Sequence, residues 1–244
     1  MKEERFNKIF STCIMVGMLV AVGITTAIKA QDPSTRMLML AVASLGSVMG
    51  VASTVLSANG LIWTFLFGIA DVVLDSIVAF DAGAMGNFAL HAFYFLPMQF
   101  VGIAQWRKRG ATKEEKVKAR RLDSRGWIML VAGIAVSLAT AWYILLRIDE
   151  SRFDAGAIES VDRWKVFFDA AVLVLNIAGQ ILMSLAFFEQ WIVWNFVNVF
   201  SILLWGSIML SSEASSYTVV MFVKYCFYLL NSLNGLRIWQ KLSR

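Results

Sequence analysis

The sequence predicts an all-α membrane protein of eight transmembrane helices: two parallel three-helix repeats joined by a linker helix, plus an extra N-terminal helix. Three observations carry that prediction: an apolar excess, eight apolar runs of spanning length, and an echo between the two halves of the chain. Hydrophobic residues make up 59% of the 244 positions. Counting Gly in and Tyr out raises the share to about 64%, against roughly 45–50% for soluble domains. Charged residues reach only 16% and aromatic residues 13%, the opposite of a solvated, disordered chain. At about 20 residues per crossing, the chain has length for seven or eight helices and none left for a separate soluble domain.

The elements follow in order. Residues 1–30 form the additional N-terminal helix, with Lys2, Arg5 and Lys8 ahead of an apolar run at 9–29. Basic residues before an apolar core also fit a signal peptide, with Ala27 to Ala30 as a poor cleavage site, but the run is long enough to span. The first three-helix unit, 37–106, contains runs at 37–58, 60–80 and 86–106, separated by Asn59-Gly60 and Asp81-Ala82-Gly83 and preceded by Asp32-Pro33-Ser34. Pro97 lies inside the third run and is expected to kink it or to free a backbone carbonyl. A basic loop, 107–125, leads to the linker helix, 126–147. After a polar stretch from Asp149 to Asp162, the second unit, 164–240, contains runs at 164–187, 189–210 and 215–240, with Glu189-Gln190 and Ser211 to Ser216 at the breaks.

Orientation follows from the basic residues, because cytoplasmic loops hold the Lys/Arg excess. With the N-terminus inside, 15 of the 22 basic residues fall on the cytoplasmic side, nine of them between Arg107 and Arg125. Both termini are therefore expected in the cytoplasm. The 107–125 loop has the charge of a nucleic-acid or calmodulin patch, but it reads as a topology signal touching anionic lipid headgroups, with no nucleic acid as partner. Cys13 and Cys226 lie far apart in apolar runs and the chain has one histidine, so neither a disulfide framework nor a metal site is expected, and no cofactor is implied.

The echo pairs Asn59-Gly60-Leu61-Ile62-Trp63 with Gln190-Trp191-Ile192-Val193-Trp194, and Gly102-x-x-x-Trp106 with Gly235-x-x-x-Trp239. Parallel repeats of this kind are characteristic of transporters, which bind near the midplane between them.

Two runs carry stripes that apolar spans do not require. At about 100° per residue, Trp191, Trp194, Asn198 and Trp205 share one face. Lys224, Tyr228, Asn231, Gly235 and Trp239 share another. Amides in hydrocarbon must find partners, so Asn198 and Asn231 are either interhelical fasteners or ligand contacts. Trp191, Trp205 and Trp239 also suit a membrane-interface belt, and Gly235 a helix-packing contact. Together, indole faces, amides and a phenol suit a planar heteroaromatic ring bearing a sugar. Gln99 and Gly102 offer a weaker version in the first unit, beside Asn87, His91, Tyr94 and Gln105. Asp71 and Asp75, one turn apart, read with Lys224 as a structural tie or as an ion-coupling site. Asp169, Asn176 and Gln180 are further cavity candidates.

Trp191-x-x-Trp194-x-x-x-Asn198 and Tyr228-x-x-Asn231-x-x-x-Gly235-x-x-x-Trp239 resemble the paired signatures of PnuC-type vitamin transporters. The resemblance covers about residues 37–240. It implies a SWEET-like 3+1+3 fold, homotrimers, and uptake of nicotinamide riboside by facilitated diffusion, the vitamin being trapped by phosphorylation on a separate kinase. By the same resemblance Trp191, Trp194, Asn198, Tyr228 and Asn231 line the site, and Gly235 and Trp239 support it. Gln99 stands where an asparagine is expected.

The reading is an inner-membrane carrier that works by alternating access. Its contacts to nicotinamide riboside come from Trp191, Trp194, Asn198, Tyr228, Asn231 and Gln99, with support from Gly235, Trp239, Lys224 and Asp71. Thiamine or riboflavin on the same scaffold is the nearest alternative. A single site lysine and no arginine cluster argue against a phosphorylated nucleotide. A retinal-binding, light-driven protein is the rival from another class, on the strength of Lys224 in the last helix. Neither a GxxxxGK loop nor an HExxH or GxSxG nucleophile pattern occurs, so an enzyme is not expected.

Overall fold

The computed structural model describes residues 2–81, 83, 85–152, 163–210 and 216–244. Its helices are α1 (Lys2–Ala30), α2 (Met37–Ala58), α3 (Thr64–Asp81), α4 (Met85–Leu90), α5 (Leu96–Lys108), α6 (Ser124–Arg152), α7 (Arg163–Ser184), α8 (Gln190–Met209) and α9 (Ser216–Leu242). Among the described residues, five stretches are long and apolar enough to cross a membrane: Arg5–Ala30, Met37–Ala58, Ser124–Ile148, Val166–Ser184 and Gln190–Met209. The other expected crossings are the ones that carry the polar load: α3 holds Asp71, Asp75 and Asp81, α4–α5 is interrupted, and α9 holds Lys224 and Arg237.

The expected break at Pro97 takes a specific form. A π-helical turn, His91–Phe95, joins α4 to α5, and the Leu96 amide donates to the carbonyl of His91, one residue wider than α-helical spacing. The widened turn lets the chain pass a proline that has no amide to donate. Turn signals also materialise. Asp32 accepts from the Ser34 amide at 2.9 Å and the Ser34 hydroxyl at 2.7 Å, which holds its carboxyl below the ordinary range. Gly60 has φ +72°, the left-handed conformation that ends α2.

Apolar packing orders the helices. Ile14, Met18 and Val22 of α1 bury against Val51 and Val55 of α2, and the Phe227 ring of α9 lies on Gly17, where a Cβ would come within 2.5 Å of it. Helix α6 packs on α7 and turns Ile128, Met129, Val131 and Val136 outward, an apolar face suited to lipid.

One end of the bundle closes in a knot of four rings. Phe65 meets Trp106 edge-on at 4.8 Å, Trp106 meets Trp239 at 5.3 Å, and Trp239 meets Trp191 at 6.1 Å. Each central indole reaches across to the other half of the chain. Trp106 donates to the Met183 carbonyl at 2.8 Å, and Trp239 donates to the Ser57 carbonyl at 2.9 Å. The outer rings press on glycines: a Cβ at Gly102 would fall 2.1 Å from Phe65, and one at Gly235 would fall 2.5 Å from Trp191.

These contacts shift the register of the sequence echo. Trp63, paired with Trp194 in the sequence, is 38% exposed at the entry to α3, and the ring that matches Trp191 is Phe65. The echo aligned like residue types, whereas the matched contact joins a phenyl to an indole.

Residues 109–123 run across the knot as an extended strap. The Val117 amide donates to Gly60 (3.0 Å), that of Ala119 to Leu242 (2.9 Å), and that of Arg120 to Ala186 (2.9 Å), while the Phe188 amide returns a bond to the Arg120 carbonyl at 2.8 Å. Ala111 and Val117 are buried among the rings, and Arg120 and Arg121 lie over Phe187 (3.8 Å) and Phe188 (4.6 Å). The basic loop thus has an apolar inner face as well as its charged one. Ala186 takes φ +59° to present its carbonyl, a conformation a non-glycine residue rarely adopts.

Candidate functional site

Above the knot the helices part around a cavity of about 330 Å³, within the range of small-molecule sites. Its walls come from α2, α3, the π-turn with α5, α7, α8 and α9.

Trp191 and Trp194 lie one turn apart near the start of α8. Trp191 is 2% exposed, held on Gly235, and its indole Nε1 has no hydrogen-bond partner. Trp194 lies on α7 at Gly179, where a Cβ would come within 3.0 Å of the indole. Both rings line the cavity.

Both amides fasten helices, and one of them also holds a buried oxygen that has no partner among the described residues. Asn231 donates from Nδ2 to the Thr54 carbonyl at 3.3 Å, tying α9 to α2, while its Oδ1 is buried without a partner. Asn198 donates from Nδ2 to Ser232 Oγ at 3.1 Å, tying α8 to α9. On the opposite wall Gln99 Oε1 is likewise buried without a partner, and a Cβ on Gly68 would come within 2.6 Å of it. Leaving such an atom unpaired costs about 1–3 kcal/mol. Ser57 Oγ adds a fourth unpartnered atom, and all four residues line the same cavity.

Tyr228, Lys224 and Asp71 complete the wall. The expected tie between Lys224 and an aspartate does not form among the described residues. The ammonium stands over the Tyr228 ring at 5.4 Å, and Asp75 instead approaches His91 Nε2 at 3.7 Å. A lysine one turn from a tyrosine on its own helix reaches that ring without crossing the cavity. Gly235 and Trp239 lie outside the lining, beneath Trp191.

Other sequence candidates scatter. Asn176, Gln180, Asp75 and His91 line the cavity. Tyr94 donates to the Ile177 carbonyl at 2.8 Å as a fastener to α7, and Gln105 lies in a separate basic surface pocket. Trp205 and Asp169 are not in the lining, and Asn87 contributes its carbonyl to His91 Nδ1. The two cysteines are free, and the described residues contain no cluster of metal-ligating side chains.

The sequence reading missed α2. Ser47, Gly50, Thr54 and Ser57 face the cavity, and their spacing of three, four and three residues was the available signal.

A family model described as nicotinamide mononucleotide transporter matches residues 40–241. The chain belongs to this transporter family. Its apolar helices make it a multi-pass membrane protein. The family match begins inside α2 and leaves α1 out. Among curated family members, the chain is 30% identical over 235 residues to nicotinamide riboside transporter PnuC of Neisseria mucosa, covering 94% of this chain and 81% of that one. It is 27% identical over 204 residues to the protein of the same name from Haemophilus influenzae, covering 83% and 80%. A crystal structure of the vitamin B3 transporter PnuC superposes with a TM-score of 0.63 at 31% identity, covering 94% of this chain and 91% of that one.

Proposed function

We propose that this chain carries nicotinamide riboside across the bacterial inner membrane by facilitated diffusion and alternating access. One observation carries the reading: two indoles and four unpartnered buried polar atoms belong to the walls of a single cavity of small-molecule size. The pyridinium stacks on Trp194 and Trp191, and Asn198, Asn231, Tyr228 and Gln99 bond the ribose or carboxamide. The relatives' shared name supports the substrate. The family model's description names the mononucleotide. A phosphate dianion would meet one lysine and two carboxylates in this lining, which favours the riboside.

The architecture in this reading is SWEET-like: units 37–106 and 164–240 are parallel repeats, 126–147 is the linker helix and 1–30 an extra helix. The paired indole bonds and the paired ring-on-glycine contacts support it. Both termini and the strap face the cytoplasm, the working form is a homotrimer in lipid, and phosphorylation by a separate kinase retains the vitamin.

Calorimetry of the purified protein with nicotinamide riboside, nicotinamide mononucleotide, thiamine and riboflavin tests the substrate. Binding is expected for the riboside alone. Heat from thiamine or riboflavin and none from the riboside would move the carrier to that substrate.

A further inference from the structure

The cavity has a side that the aromatic rings and amides do not explain. Two carboxylates, Asp71 and Asp75, line it from α3, one turn apart, against a single ammonium, Lys224. Asp75 has His91 at 3.7 Å, and Lys224 occupies the face of Tyr228. Asp71 has neither a hydrogen bond nor an ion pair within 4 Å among the described residues, and Lys224 acts on it only from a longer range. It does have a prepared seat: its carboxylate lies so close to Gly50 of α2 that a Cβ there would come within 2.7 Å of Oδ1.

An acidic side chain inside a membrane protein is costly unless a cation meets it. The same cavity is walled by Trp191, Gln99 and Asn231, each at least nine-tenths buried with a polar atom unpartnered, so the wall is built to meet a ligand as well as to pack.

We infer that Asp71 is the counter-charge of a cation subsite on the α3 wall, selecting ribosyl-pyridines in their positively charged form over uncharged and phosphorylated ones. The inference rests on the proposed riboside reading and adds a specificity determinant to it. Stacking on Trp194 accepts a flat ring of either charge and favours the cation only modestly. A carboxylate on the facing wall recognises only the cation, and its effect is enlarged where water is excluded. It also repels a phosphate carried on the same sugar. Gly50 then has a stated role: it lets α2 pass close enough to fix where the carboxylate stands.

The test compares two ligands of nearly equal shape, nicotinamide riboside and its uncharged 1,4-dihydro form, by calorimetry on the full chain. The parent protein is expected to prefer the cation by about tenfold or more. Asp71→Asn should remove most of that preference while retaining the uncharged form, the remainder being what the indole faces supply, and Asp71→Glu should restore part of it. Gly50→Ala should weaken the cation selectively, because it displaces the carboxylate without removing it. Equal affinity of the parent for both forms, or a parent-like preference in Asp71→Asn, overturns the inference and leaves the carrier reading intact. A parent that binds neither form overturns both. Should Asp71→Asn fail to purify, the preference of the parent and of Gly50→Ala still decides the matter.

Discussion

The two segments α2 to α5 and α7 to α9 are alike at the knot and unlike at the cavity. At the knot three kinds of contact come in pairs: Phe65 on Gly102 and Trp191 on Gly235, Trp106 to Met183 and Trp239 to Ser57, Gly60 to the Val117 amide and Ala186 to that of Arg120. A turn higher the match ends. Three residues after Trp191 comes Trp194, while three residues after Phe65 comes Gly68. Eleven residues before Gly235 is Lys224, and eleven before Gly102 is His91. Contacts that hold two segments together tolerate being made twice, whereas a cavity for an unsymmetrical molecule needs different groups on its facing walls.

The sharpest way to break this contrast is Trp194→Ala. Losing a central aromatic anchor is expected to weaken riboside binding about a hundredfold while lowering the unfolding temperature only moderately, since Trp194 is half-buried at the edge of two apolar clusters and is not one of the four knot rings. A variant that unfolds instead would place Trp194 with the scaffold. Next come Gly102→Ala and Gly235→Ala. Each forces a methyl into a ring and should cost about 2 kcal/mol of stability by overpacking, read as comparable drops in unfolding temperature. A large drop in one with none in the other would end the equivalence of the halves.

Smaller effects sharpen the picture. Trp106→Phe and Trp239→Phe keep an aromatic ring but remove the donor, taking from the Met183 or Ser57 carbonyl one of the two bonds it accepts, the other coming from the Ala186 or Gly60 amide, at about 1 kcal/mol each. Unfolding of the single and double variants would show whether the two bonds act independently, and they are expected to add. The smallest effect is expected from Ala186→Gly. Relief of the left-handed alanine outweighs the entropy of glycine by about 0.5 kcal/mol, a slight rise in unfolding temperature where Gly60→Ala should produce a fall.

Much of this was legible because bilayer chemistry is restrictive. Apolar runs located the helices to within a few residues, and the stripes on α8 and α9 identified side chains that do meet at one cavity, since helical periodicity alone places Trp191, Trp194 and Asn198 on one face. What escaped did so for physical reasons. Ser47 and Thr54 look like ordinary residues of an apolar helix because their hydroxyls bond their own backbone, at Ala43 and Gly50, so nothing local marks them as cavity-facing. The strap was read from its charges, while Ala111 and Val117, which anchor it, are too few for a periodic signal. How far Lys224 stands from Asp71 depends on tertiary placement, although its contact with Tyr228 is local to α9. The π-turn depends on how α4 and α5 pack around Pro97, which no motif encodes.

The strap also bears on how the chain is assembled. Its three outgoing amide bonds go to Gly60, already synthesised when the strap emerges, and to Ala186 and Leu242, which come later. Until the second half arrives, the amides of Ala119 and Arg120 lack their protein partners and rely on water. The last bonds formed across it act as a latch that fastens early and late helices together, so a folding intermediate lacking α7 to α9 leaves Phe65 and Trp106 without the two indoles that cover them.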